Sequence, residues 1–136
     1  MSNDSSAVRH LSLADVMALH NKMMEGMGQH PAPLRDQGAL EAAVMRPQMA
    51  AYYEDADVIR QAALLAVGIS QAQAYVDGIK RTAYIAARVF LRVNGHPFTG
   101  DGLALAQQLE AVAERTDSLA AATGRFEDWL RGHTTG

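Results

Sequence analysis

Seven consecutive residues, Asp77-Gly78-Ile79-Lys80-Arg81-Thr82-Ala83, set an acid, a glycine and two cations where a turn passes into an apolar segment. If a helix begins at Ile79, its first backbone N–H groups have no partner within the helix and carry the positive end of its dipole. Such a terminus binds anions, phosphate above all. Gly78 allows close backbone approach, Lys80 and Arg81 add charge, and Asp77 can hold a Mg²⁺ that bridges phosphate oxygens. The chemistry on offer is a nucleotide-phosphate cradle. A plainer explanation stands beside it. Asp-Gly is an ordinary turn pair, and Asp at a helix start is an ordinary cap. Lys80 and Arg81, about 100° apart on a helix, can simply be solvated. Arg81, Arg88 and Arg92 fall at i, i+7 and i+11, so they can form one exposed stripe on an otherwise apolar helix. Spacing alone leaves both readings open.

No other segment offers as much. The five histidines, His10, His20, His30, His96 and His133, show no H-x-x-x-H metal spacing and read as surface or packing residues. His20 is the one inside an otherwise regular helical pattern, and His96, beside Pro97, belongs with a helix-ending loop. The stripe Val16, Leu19, Met23 and Met27 reads as core filler, because Met adapts to irregular gaps in packing.

The elements that must position the turn follow from apolar periodicity and caps. Residues 1–11 are expected to be a flexible N-terminal arm, and 12–132 a single domain. Ser12 and Asp15 have capping-box spacing ahead of the first helix, which Gly28 can close. Asp36 is expected to cap a short helix carrying Leu40, Ala43 and Val44, ended by Arg46-Pro47. Residues 48–54 are ambiguous, since Ala50, Tyr52 and Tyr53 fit an extended segment. Asp55 or Asp57 then caps a long helix with Val58, Ile59, Ala62, Leu65, Ala66 and Ile69 on one face, fading near Ala72. From Ile79 to Asn94 runs a helix apolar on nearly all sides, which belongs in the middle of a bundle. Helices over Leu103–Ala113 and Gly124–Leu130 complete the set, with Leu105, Leu109, Val112, Phe126, Trp129 and Leu130 pointing inward. The predicted fold class is all-α.

Composition agrees. Ala, Leu, Met, Gln and Glu are good helix formers, and 136 residues suffice for one core without staples. The absence of cysteine removes disulfides and thiolate metal sites and fits a cytoplasmic location. No apolar run approaches the ~20 residues of a membrane span, and the polar opening Met1–Ser6 is unlike a signal peptide. A net charge of −3, with signs mixed, gives no footprint for direct nucleic-acid binding.

Asp77-Gly78-Ile79-Lys80-Arg81-Thr82-Ala83, continuing through Ala86-Ala87, Val89-Phe90-Leu91 and Asn94-Gly95, resembles the signature of the Doc (death-on-curing) branch of the Fic/Doc family. That signature reads H-x-F-x-D/N-A/G-N-K-R and runs into a central helix. Leu11–Val16, His20, Leu34-Arg35-Asp36, Gly38, Leu40–Ala43 and Arg46-Pro47-Gln48 also occur in the order and spacing of Doc-like proteins, so the resemblance covers about residues 11–95.

The resemblance implies a compact helical bundle around the helix 79–94, with ATP bound over the loop. A histidine would deprotonate a target protein's hydroxyl, to which phosphate or AMP is transferred. It further implies a toxin–antitoxin setting, with an antitoxin protein and a target in the translation apparatus as partners. Asp77 then matches the acid associated with Mg²⁺, Gly78 the loop glycine, and Lys80 and Arg81 the phosphate-binding pair. Tyr75 replaces the family's Phe. Gln73, however, stands in place of the catalytic His, and Ile79 in place of an Asn that contacts phosphate. Gln71-Ala72 replaces the Arg-Asn that often precedes the His, and Ala74 its proline. Glutamine cannot accept a proton near neutral pH, and losing a positioned base typically costs about 10²–10⁴-fold in rate. The favoured expectation is a noncatalytic or impaired member that still binds a nucleotide or a protein partner. The alternatives are an active transferase and a helical scaffold without nucleotide. In the family, the region 46–55 includes a flap that docks targets by strand pairing, a role Tyr52 and Tyr53 could serve as readily as covering the core.

Overall fold

The computed structural model describes residues 8–31, 33–72 and 78–136. Six helices follow one another: α1 (Leu13–Gly26), α2 (Gln37–Glu54), α3 (Val58–Ala72), α4 (Ile79–Val93), α5 (Gly102–Ala113) and α6 (Leu119–Arg131). Among the described residues no strand forms, so the all-α expectation holds. None of these helices is long and apolar enough to cross a membrane.

Caps begin the helices where short polar side chains meet the first free N–H groups. At α1 the Ser12 hydroxyl accepts from Asp15 N at 3.1 Å and the Asp15 carboxylate accepts from Ser12 N at 2.8 Å. Both candidate acids between α2 and α3 are used. Asp55 closes α2 in a left-handed conformation (φ 53°), and Asp57 opens α3 by accepting from Arg60 N at 2.9 Å.

Three expectations need correction. Helix α2 does not stop at Arg46-Pro47 but continues to Glu54 with Pro47 inside it. Pro47 is buried together with Leu40, Ala43, Val44 and Ala50, and this face lies along α3. A Cβ at Gly68 of α3 would stand 3.3 Å from both Ala43 Cβ and Arg46 Cδ, so the two helices cross closely there. Packing along that face outweighs the lost hydrogen bond and the local preference of a residue before proline. Tyr52 and Tyr53 are therefore helical, 81% and 72% exposed, and offer no extended edge for strand pairing. Helix α6 starts at Leu119, not Gly124, because the Ser118 hydroxyl caps it by accepting from Ala121 N at 3.0 Å. Finally, residues 8–11 of the expected arm are fastened. Asn94 pairs with both the N–H and the carbonyl of Arg9, and the His10 ring meets Gln61 Oε1 at 2.8 Å. Residues 1–7 lie outside the described residues.

The core gathers where α3 and α4 cross. Helix α4 buries Thr82, Ala83, Ala86, Ala87, Phe90 and Leu91 and leaves Arg81, Arg88 and Arg92 exposed, the stripe read from the sequence. Helix α3 is enclosed more completely than α4: Ile59 and every residue from Gln61 to Ile69 are buried, against α2, α4, α5 and α6. On α1 the buried face is Val16, His20 and Met24, while Met27 of the expected stripe is exposed.

A chain of ion pairs joins the helix ends on one side. Arg131 of α6 grips Asp57 through Nη1 at 2.6 Å and reaches Glu127 at 2.8 Å, and Arg60 bridges Glu127 and Glu54. The hydrogen-bonded Arg131 guanidinium holds the Asp57 carboxyl below its ordinary range. A depressed acid stabilises the fold above its unfolded-state pKa, and that stabilisation is lost as pH falls through the lower folded value. We expect the melting temperature to fall with acidification below about pH 4, where free Asp titrates, and to fall less steeply in Asp57→Asn. Asparagine caps as well as aspartate but cannot titrate. An Asp57→Asn protein with an unchanged acid slope would rule out this carboxylate as a source of acid lability.

Candidate functional site

The loop-to-helix junction at α4 is built from both sides. Gly78 is the N-cap, in the left-handed region at φ 79°, and no side chain caps the helix from that position. A Cβ there would lie 2.9 Å from Met23 Cε, 3.0 Å from Met24 Sδ and 3.3 Å from His20 Nε2. The backbone angle favours glycine, and a Cβ would also crowd the flexible ends of Met23 and Met24. The first bond within α4 runs from Thr82 N to Gly78 O at 2.9 Å, and the Thr82 hydroxyl donates to the same oxygen at 2.8 Å. The amides of Ile79, Lys80 and Arg81 precede that bond, so they have no acceptor within the helix.

Two cavities flank this terminus. One, about 340 Å³, is lined by Met24, Met27, Gln29, Gly78, Ile79, Lys80 and Arg81. The other, about 370 Å³, lies toward α5 and is lined by Lys80, Arg81, Tyr84, Gly102, Ala106, Leu109 and Glu110. Lys80 and Arg81 stand between the two. Their side chains behave differently. Lys80 Nζ forms a close ion pair with Glu110 Oε2 of α5, whereas Arg81 is exposed and makes no ion pair among the described residues. Farther along the stripe, Arg88 donates to the Tyr84 hydroxyl at 2.9 Å and sits 5.5 Å over its ring.

The structure thus brings together Gly78, Ile79, Lys80 and Arg81 of the residues singled out from sequence. Gln73 and Asp77 lie outside the described residues. Among the described residues no group of three metal-ligating side chains occurs. The arrangement can hold an anion: amides supply directed donors, Arg81 supplies charge, and Lys80 can join if the anion competes with Glu110. It offers an alkyl side chain at Ile79, half-buried on the cavity wall.

Sequence reasoning missed the part played by His20. It was read as a packing histidine, and it is indeed fully buried, but its ring packs against Gly78. The signal was available: His20 lies four residues after Val16 and four before Met24, on the face that turns inward. The other histidines are elsewhere. His10 bonds Gln61, His133 stacks on Trp129 with centroids 4.3 Å apart, and His30 is exposed.

Comparison with known proteins places the chain among relatives. The model of the Fic/DOC family matches residues 10–91. The chain is similar to "Toxin Doc" of Mycolicibacterium smegmatis, at 44% identity over 70 residues, which cover 50% of this chain and 54% of that protein. It is also similar to "Protein kinase doc" of Escherichia phage P1, at 34% identity over 89 residues, covering 65% of this chain and 70% of that one. The match thus spans about half the length of the first relative and over two thirds of the second.

Proposed function

The chain belongs to the Fic/DOC family, and from that premise we propose that it is a Doc-type protein that binds the phosphates of ATP-Mg²⁺ at the start of α4 while its proton-transfer step is impaired. The observation that carries the reading is the junction itself. A left-handed glycine, where a side chain would be strained, opens a helix whose first three amides face no intrahelical acceptor, beside an exposed Arg81 that makes no ion pair among the described residues. These residues fit a phosphate group. Gly78 and the Ile79, Lys80 and Arg81 amides would surround it, Arg81 would neutralise its charge, and Asp77 would hold the Mg²⁺. Bound ATP would supply the phosphoryl or adenylyl group for transfer. Gln73, in the place of the family's base, can orient a hydroxyl through its amide but cannot take its proton. Ile79 removes a polar contact to phosphate and replaces it with an alkyl wall.

Nucleotide present at about 100 times its Kd would stabilise the native state by about 2.7 kcal/mol, a shift of several degrees in melting temperature. We expect that shift with ATP-Mg²⁺ and its loss in Arg81→Ala. A wild-type protein that melts at the same temperature with and without ATP-Mg²⁺ would remove the nucleotide from the proposal. Labelled ATP in a cell extract addresses the other half: label on a specific protein, lost in Asp77→Ala, would overturn impairment in favour of an active transferase. The toxin relative supports an antitoxin protein as partner, and a target in the translation apparatus is proposed with it.

A further inference from the structure

We propose that the outward face of α4 is a docking surface for an acidic amphipathic helix of a partner protein. Most of this face lies beyond the helix start, so its use does not depend on the phosphate reading above. Among the described residues α4 packs against α1, α3 and α5, and α1 and α5 do not touch each other, so the side of α4 between them is left open. Two files of residues run along it. Arg81, Arg88 and Arg92 are exposed, and the 15 residues of α4 include no Asp or Glu to neutralise them. Beside them, at four-residue spacing, lie Ile85, Val89 and Val93. Ile85 and Val89 are half-buried without joining the core cluster, and Val93 is 39% exposed.

Like charges four apart, as in Arg88 and Arg92, repel one another along a helix, and an acid brought between them relieves both. Arg88 is already fixed in place, donating to the Tyr84 hydroxyl at 2.9 Å and lying 5.7 Å from the Phe98 ring, so less freedom is lost when a partner arrives. The occupant follows from the same residues. Carboxylates match arginine through paired hydrogen bonds, and branched aliphatics match an apolar edge. A helix with acids along one file and apolar residues along the next satisfies both, over the roughly 16 Å that 11 steps of helix rise put between Arg81 and Arg92. Nucleic acid fits less well. Single strands stack their bases on aromatic side chains, which the file Ile85, Val89 and Val93 does not supply, and a net charge of −3 repels a polyanion. A second copy of this chain lacks the complement. Glu54, Asp57, Glu110, Asp117 and Glu127 are each paired with a cation of their own chain, and none of the six helices holds three acids.

The probe is a synthetic helical peptide of about five turns, with glutamates at the spacing of the three arginines and leucines along the adjoining file, titrated into the full chain. It is expected to bind about tenfold more tightly than a scrambled peptide of the same composition, and to weaken about tenfold in Arg92→Glu and about threefold in Val93→Ser. Both positions are exposed, so each variant should keep the wild-type melting temperature. Changing to lysine only the peptide glutamate that faces position 92 should restore affinity for Arg92→Glu, which a general loss of structure could not do. Equal binding of designed and scrambled peptides, unchanged affinity in Arg92→Glu, or tighter binding of a single-stranded oligonucleotide of similar length would overturn the docking face. Self-association of the chain that Arg92→Glu abolishes would assign the face to a second copy and overturn it as well. If the peptide binds as expected while ATP-Mg²⁺ leaves the melting temperature unmoved, the docking face stands and the phosphate reading is the one that fails.

Discussion

Replacing Gln73 by histidine and Ile79 by asparagine is expected to raise transfer of label from ATP to protein by roughly 10²–10⁴-fold, the range a positioned base contributes. The two changes supply different things. Histidine at 73 adds a group that can accept a hydroxyl proton near neutral pH, which the glutamine amide cannot. Asparagine at 79 exchanges an alkyl wall of the 340 Å³ cavity for an amide donor. Gln73→His alone should give most of the gain, and Ile79→Asn alone little, because a better-held nucleotide still lacks a base. Expression of the double variant is expected to slow growth of the host cell, while the parent does little. A stably folded double variant with neither labelling nor growth inhibition would show that more than these two groups is missing, with Gln71 the next residue to restore.

Phe90→Ala should destabilise the fold by about 3–5 kcal/mol, the usual cost of emptying an aromatic site in a core. Phe90 is 1% exposed on the inward face of α4, and the His10 ring lies 6.0 Å from its own. The other buried apolar residues of α4 are Ala83, Ala86, Ala87 and Leu91, so Phe90 is the largest side chain this helix gives to the core. Against a typical total of 5–15 kcal/mol, that loss is a large share. Arg92→Ala on the exposed face of the same helix should stay within about 0.5 kcal/mol. Urea unfolding of the two variants checks the contrast, and a Phe90→Ala loss below about 1 kcal/mol would mean the site had refilled.

The helix start at the candidate site was legible because its signals are local. A run of DGIKR ahead of an apolar helix identifies a helix start with charge around it, and the structure begins α4 at Ile79. What could not be read was the commitment of each charge. Lys80 is taken by Glu110, thirty positions away, while Arg81 beside it makes no such pair among the described residues. Neighbouring cations on a helix point about 100° apart, and which of them meets an acid depends on where α5 lies.

The sequence by itself determined the family, the all-α class, the capping box at Ser12 and the ends of α3 and α4. Caps and apolar periods act between residues a few positions apart, so they survive without knowledge of the fold. Only the tertiary structure decided that α2 continues through Pro47, that Met24 and not Met27 turns inward, and that His20 closes on Gly78. Each of these depends on which faces of two helices meet, and that is settled by burial summed over the whole interface, which no short stretch of sequence contains.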